Sequence, residues 1–196
     1  MLPDMTEPQR LGAIILTGGT AARMGGIDKA SIELGGVTLL ERALAATMGA
    51  VEVVVVGEEV PTTRPVTWTR EDPVGGGPAA GLYAGLGWIR TDLVAVLAVD
   101  MPKVNAGTIA RLTWAVEAGG YDGPVDGAVL EDADGRTQPL CAVYRVASLR
   151  EKRPDDVHDL SMKRLLATLN LDRVPAVGSE ARDIDTWEDL ADIAEG

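Results

Sequence analysis

Residues 51–57 read VEVVVVG. β-Branched residues suit a pleated strand, and a run of valines that does not alternate with polar residues predicts a strand covered on both faces, as in a parallel sheet. Parallel neighbours need long crossover connections, and the flanking sequence supplies helix-like segments for them. Upstream, TLLERALAATMGA (38–50) predicts a helix with Thr38 and Glu41 at capping-box spacing, and Gly12 to Leu16 predicts a strand before it. Downstream, PVTWTRED (65–72) predicts a third strand, and PVGGGPAAGLYAGLGWIR (73–90) a glycine-rich loop entering a helix from Pro78 to about Ile89. LVAVLAVD (93–100) is a fourth strand, wholly apolar until Asp100.

Beyond it, NAGTIARLTWAVEA (105–118) repeats apolar residues at helical spacing behind Asn105 as N-cap. DGAVLEDADGRTQPLCAVYR (126–145) holds two strand-like segments around Asp134-Gly135, a hairpin signal. DLSMKRLLATL (159–169) predicts a helix, DRVPAVG (172–178) a short strand, and DTWEDLADIAEG (185–196) a terminal helix opened by Asp185 or Thr186. The alternation predicts an α/β fold: one three-layer α/β/α, Rossmann-like domain over residues 11–196, with a mostly parallel sheet and a hairpin insertion. Residues 1–10 are expected to form a disordered tail.

The chain has 196 residues, of which 46% are hydrophobic, enough for one domain with a substantial core. Thirty acidic residues against eighteen Lys and Arg give a net charge of -12, which opposes binding to nucleic acid or to an anionic membrane. Any phosphate binding must then be local. A single cysteine, Cys141, rules out an internal disulfide, and a single histidine, His158, rules out a site built from several Cys and His ligands. With no leader-like start and no apolar segment long enough to span a bilayer, a cytoplasmic location is expected.

The chemistry-bearing stretch is LTGGTAARMGGIDK (16–29). It follows the first strand, at the carboxyl edge where open parallel sheets bind ligands. Tight glycine turns expose successive backbone N–H groups to phosphate oxygens, and Arg23 and Lys29 add local cations. The stretch matches neither GxxxxGK[ST] nor GxGxxG, so it is neither a P-loop nor an ordinary dinucleotide fingerprint. Asp100, followed at once by Met101-Pro102, is placed to ligate Mg²⁺ or merely to cap a turn. Asp183 and Asp185 flank Ile184 and, in an extended segment, point to one side; either is a metal ligand or a helix cap. Asp72 either accepts from a ligand or forms an Asx-turn. His158 reads as solvated and Cys141 as a buried structural thiol. Trp68, Trp88, Trp114 and Trp187 read as core or rim packing. No Ser-His or Cys-His pair is present to support covalent hydrolase chemistry.

Taken together, LTGGTAARMGGIDK, DPVGGGPAAG (72–81), AVDMP (98–102) and DIDTWEDL (183–190) occur in the order that resembles the guanylyltransferases of molybdenum cofactor assembly. The likeness spans nearly the whole chain. The family signature LAGGxxxRMGxDK stands here with Thr17 for alanine and one extra residue, Ile27. The resemblance implies that Leu16, Thr17 and Gly18 contact the guanine base, and that Gly19, Arg23 and Lys29 hold the triphosphate. It makes Asp72 a nucleotide-binding residue, Asp100 the Mg²⁺ ligand, and Asp185 a second metal or acceptor-site ligand. Gln138 replaces a family histidine before Pro139 on the acceptor side, and Lys163 and Arg164 lie where acceptor-phosphate contacts are expected.

The implied reaction is Mg²⁺-dependent transfer of GMP from GTP to the phosphate of molybdopterin, with Arg23, Lys29 and Asp100 carrying the chemistry and pyrophosphate leaving. GTP, molybdopterin and molybdenum-cofactor assembly proteins are the implied partners. A cytidylyltransferase of the same kind is the nearest rival, and Gly18-Gly19, where that branch tends to carry alanine, favours the purine. A guanylyltransferase with another small acceptor and a non-catalytic nucleotide-binding assembly protein are the remaining alternatives.

Overall fold

The computed structural model describes residues 9–18, 28–120 and 123–195. Gly19 and Arg23, most of the predicted tail, and the middle of the 16–29 stretch lie outside the described residues. In chain order the elements are β1 (Leu11–Leu16), a 3₁₀ turn (Lys29–Ser31), β2 (Glu33–Leu34), β3 (Val37–Thr38), α1 (Leu39–Ala46), β4 (Glu52–Val56), β5 (Thr67–Thr69), α2 (Gly77–Leu86), β6 (Leu93–Ala98), α3 (Ala106–Ala118), β7 (Gly127–Glu131), β8 (Thr137–Arg145), α4 (Val146–Glu151), α5 (Met162–Leu166), β9 (Leu171–Pro175) and α6 (Trp187–Glu195).

β1 lies parallel between β4 and β6, with Ile14 opposite both Val54 and Val96. The full sheet has seven strands in the order β5-β4-β1-β6-β8-β7-β9, and β8 alone runs antiparallel to its neighbours. Side-chain alternation then divides the core. Ala13, Ile15, Val53, Val55, Ala95 and Leu97 face the side covered by α1, α3 and α6. Ile14, Leu16, Val54, Val56, Val94 and Val96 face α2, α4 and α5. Burying each large aliphatic side chain contributes about 1.5–3 kcal/mol, so the valine run stabilises both layers at once. α2 sits unusually close to β1: a Cβ on Gly85 would stand 2.8 Å from Ile14 Cγ2, so a side chain there would push the helix off the sheet.

The expected parallel α/β core is present, with shorter elements. α1 stops at Ala46, where Thr47 Oγ1 donates back to Ala43 O (3.0 Å). Thr38 caps it by accepting from Glu41 N (3.2 Å), but the box is not closed; Glu41 instead accepts from Thr63 N and Oγ1 and so ties down the 61–65 loop. The hairpin around Asp134-Gly135 forms, yet it is no appendage. Its second strand lies inside the sheet beside β6, because Cys141, Ala142, Val143 and Tyr144 are fully buried and need cover on both sides. The β7–β8 register jumps between Val129, opposite Ala142, and Leu130, opposite Gln138, which leaves Pro139 to Cys141 unpaired on the β7 side. Proline, which has no N–H to donate, is suited to such a bulge.

Three features were not foreseen: the 3₁₀ turn at Lys29–Ser31, α4, and the small β2–β3 hairpin whose Gly35 and Gly36 both have positive φ, the requirement of a tight two-residue hairpin turn. Trp68 is half-buried against the first core face, but Trp88, Trp114 and Trp187 are exposed, contrary to a packing role for all four. No helix among the described residues is long and apolar enough to cross a membrane.

Candidate active site

The carboxyl ends of β1, β4, β5 and β6 border a cleft of about 640 Å³. Its floor includes Leu16, Thr17 and Gly18 at the end of β1. Thr17 is buried there, and both its backbone N–H and its Oγ1 donate to Val56 O at 3.1 Å. The hydroxyl fits only because the neighbouring residue is Gly57: a Cβ at that position would lie 1.8 Å from Thr17 Oγ1. The threonine that departs from the family alanine is thus matched by a glycine forty residues away.

Lys29 opens the 3₁₀ turn, held by Asp28, whose Oδ1 accepts from Ala30 N (3.1 Å). From this turn the side chain reaches inward and is 8% exposed. Its Nζ donates to Asp100 Oδ2 (2.9 Å), Asp185 Oδ1 (3.0 Å) and Ile184 O (2.9 Å), so all three ammonium protons are engaged. Burial works to lower the Lys29 pKa, but the hydrogen bonds and charges of Asp100 and Asp185 outweigh it and hold the ammonium above the ordinary lysine value. Asp100 lies in the turn just past β6, and its backbone oxygen accepts from Ile184 N (2.9 Å), which ties the 183–185 segment to the sheet.

The ambiguity at Asp185 is resolved by its neighbours. Thr186 caps α6: its Oγ1 accepts from Asp189 N (3.1 Å), while Asp189 Oδ2 accepts from Thr186 N (2.8 Å). Relieved of capping, Asp185 is available to Lys29. Asp183 stays near enough that partial burial, together with the charges of Asp185 and Asp100, raises its carboxyl pKa. No group of three or more acidic, His or Cys side chains arranged to hold a metal occurs among the described residues. Two convergent carboxylates are nonetheless the usual protein share of a Mg²⁺ site, since that ion keeps water and substrate phosphate as its remaining ligands.

Leu16, Thr17, Gly18, Lys29 and Asp100 therefore meet in one cleft. Asp72 does not line it; the wall there is Arg70, Glu71 and Val74, and Glu71 Oε1 accepts from Gly75 N (3.1 Å) to shape the glycine-rich turn. Gln138 and Pro139 stop just short of the cleft, and the bulge of β8 delivers the next residue, Leu140, into its lining. Lys163 and Arg164 lie on the exposed face of α5, anchored from below by Met162 and Leu165. His158 is exposed and pairs with Asp159 (3.1 Å). Cys141 is buried, its thiol pushed up to about 12 by desolvation, as expected of a structural cysteine.

Sequence reasoning missed Glu180. This buried carboxylate accepts from Thr108 Oγ1 (2.7 Å), Val177 N (2.9 Å) and the Arg111 guanidinium, fastening the segment that leads to Asp183–Asp185 onto α3. Burial would raise its pKa, but the bonds from Arg111, Thr108 and Val177 lower it. A lone glutamate in VGSEARD carries no signal of this, because its side-chain partners, Thr108 and Arg111, are about seventy residues away. Glu58 and Arg70, which also line the cleft, were likewise not singled out.

A glycine turn, a buried lysine and paired carboxylates at the carboxyl edge of an open sheet define an α/β domain of the nucleotide-binding class. The model of the MobA-like NTP transferase domain matches residues 13–174. A probable molybdenum cofactor guanylyltransferase of Opitutus terrae is 36% identical over 167 residues, covering 81% of this chain and 79% of the relative. The molybdenum cofactor guanylyltransferase of Acidiphilium cryptum is 34% identical over 154 residues, covering 74% and 72%. Among solved structures, molybdopterin-guanine dinucleotide biosynthesis protein A from Archaeoglobus fulgidus superposes with a TM-score of 0.71 at 21% identity, covering 94% of this chain and 97% of that one. A nucleotidyl transferase from Methanothermobacter gives 0.75 at 22%, covering 95% and 96%. The chain belongs to the MobA-like NTP transferase family and is a nucleotidyltransferase.

Proposed function

We propose that the protein transfers GMP from GTP to the terminal phosphate of molybdopterin and releases pyrophosphate. The observation that carries this reading is the Lys29 ammonium held between Asp100 and Asp185 at the edge of a cleft whose floor includes Leu16, Thr17 and Gly18. A site that gathers a cation and two carboxylates beside exposed backbone is suited to a triphosphate and its metal. The relatives named as molybdenum cofactor guanylyltransferases supply the donor and the acceptor.

In this reading Asp100 and Asp185 hold Mg²⁺, which when bound neutralises phosphate charge and aligns the reacting groups. An oxygen of the acceptor phosphate attacks the α-phosphorus of GTP; the new P–O bond forms as the bond to the β-phosphate bridging oxygen breaks, and pyrophosphate departs with that electron pair. The attacking phosphate is already ionised at neutral pH, so no general base is required. Lys29, with Arg23 from outside the described residues, stabilises the charge that grows on the leaving group. Leu16, Thr17, Gly18 and Gly19 contact the donor base and phosphates, with Asp72 at the rim. Gln138 and Pro139 on β8 and Lys163 and Arg164 on α5 receive the acceptor, and the product passes to molybdenum-cofactor assembly proteins in the cytoplasm.

The test is pyrophosphate release by the purified protein with Mg²⁺ and GTP, CTP or ATP, each with and without molybdopterin. Release with GTP only when molybdopterin is present is expected. Release with CTP instead would move the protein to the cytidylyltransferase branch, and GTP binding without release would require another acceptor or a non-catalytic role.

A further inference from the structure

Among the described residues, four acidic side chains line the cleft: Asp28, Glu58, Glu71 and Asp100. Three are committed to the fold or to Lys29. Asp28 accepts from Ala30 N and Ser31 Oγ, Glu71 from Gly75 N, and Asp100 from the lysine. Glu58 differs: its side chain is 72% exposed, and its partner is Arg70, at 3.4 Å. The two side chains come from just past the ends of adjacent parallel strands, β4 and β5, which lie across β1 from β6 and Asp100.

Position along the sheet limits what Glu58 can meet. Leu16 is in register with Val56, so continuing the pairing sets Gly57 beside Thr17 and Glu58 beside Gly18. Asp100 lies just past β6, two strands from β4 across β1, which is about 10 Å at ordinary strand spacing. A nucleotide bridges such a gap between its α-phosphate and its base. A carboxylate facing the triphosphate with no cation between them would be repelled by its like charge even at an effective dielectric of about 20. Glu58 therefore belongs at the end of the nucleotide remote from the phosphates.

Resting on the guanylyltransferase reading, we infer that Glu58, braced by Arg70, reads the donor edge of guanine, its carboxylate accepting from N1–H and from the exocyclic N2 amine. An ionised carboxylate only accepts, and guanine is the nucleobase among the four that presents two adjacent donors on this edge. Adenine offers a lone pair at N1, and cytosine lone pairs at N3 and O2, so each sets an acceptor against an acceptor. A site built for donors rejects analogues that lack them more strongly than it rejects a mere change of size.

The test is equilibrium binding of GTP, ITP, 2′-deoxy-GTP and CTP, with Mg²⁺, to the full chain and to Glu58→Gln, which needs no acceptor and so stands whether or not molybdopterin is the substrate. ITP keeps N1–H and lacks only the N2 amine. The wild type is expected to bind GTP about tenfold or more tightly than ITP, and Glu58→Gln, in which one oxygen becomes an NH₂ donor, to bring that ratio close to one while weakening GTP most. Equal wild-type affinity for GTP and ITP, a preference for CTP, or a GTP-to-ITP ratio unchanged in the variant would overturn the assignment. So would a variant that loses discrimination between GTP and 2′-deoxy-GTP instead, because Glu58 would then hold the ribose. Failure of the transfer reading shows separately, as absent pyrophosphate release by wild-type protein that still binds GTP.

Discussion

The Lys29 end of the cleft and the α5 face outside it are built differently. At the Lys29 end the buried ammonium has three hydrogen-bond partners from two segments, Thr17 is wedged over Gly57, and Glu180 pins the acidic segment to α3. On the α5 side Lys163 and Arg164 are exposed and enter no ion pair among the described residues, while Gln138 lies half-buried at a bulge. Preorganisation is most useful where charge develops, since dipoles and cations fixed beforehand need not reorganise during the reaction. Under the proposed function, an open acceptor side would cost little rate and leave room for a bulky acceptor.

The largest effect is expected from Asp100→Ala. Turnover should fall by about a hundredfold or more, while far-UV circular dichroism stays native, because a half-buried rim carboxylate contributes little to the core. Activity within a few-fold of wild type would remove Asp100 from the chemistry and end the contrast between the two regions.

Gly57→Ala comes next. The added methyl meets the Thr17 hydroxyl in a backbone conformation, φ +156°, that suits glycine, so a loss of about 1–3 kcal/mol is expected from urea unfolding. Pairing it with Thr17→Ala should recover part of that loss. Strict additivity in the double-mutant cycle would show that the wedge is not a coupled pair.

Glu180→Gln should destabilise by about 1–3 kcal/mol at pH 7, since it weakens a buried charge-assisted network. The wild-type carboxyl titrates below its ordinary value of 4.5, so its contribution is complete above that pH and is lost as the pH falls through the lower folded value. Thermal melts of the variant should therefore lose part of the acid destabilisation seen in the wild type below about pH 4.5. An identical acid limb in both proteins would assign that destabilisation to other carboxylates.

The smallest effect is expected on the acceptor side. Lys163→Ala should raise the KM for molybdopterin by a few-fold with GTP affinity unchanged, in keeping with about 0–1 kcal/mol for an exposed charge. A kcat loss comparable to that of Asp100→Ala would mean that α5 reaches the reacting phosphates.

Strand positions, most helix positions and the location of Asp100 were legible in the amino-acid sequence because they depend on local physics: runs of Val, Ile and Leu, cap residues such as Thr38 and Asn105, and a Pro that ends the apolar run of β6. Resemblance added the nucleotide chemistry for Leu16 to Gly18, Lys29 and Asp100, and all five stand in one cleft. Other features were decided only by tertiary structure. Whether Asp185 or Thr186 caps α6 depends on Lys29, 156 residues from Asp185, competing for the carboxylate. Whether the hairpin stands outside the sheet or within it depends on the cover that Cys141 to Tyr144 require, which β6 provides on one side and β7 on the other. The placing of Glu58 and Arg70 across β1 from Asp100 follows from strand order. Local propensity acts over a few residues, whereas these choices compare the burial and pairing of groups that only the folded chain brings together.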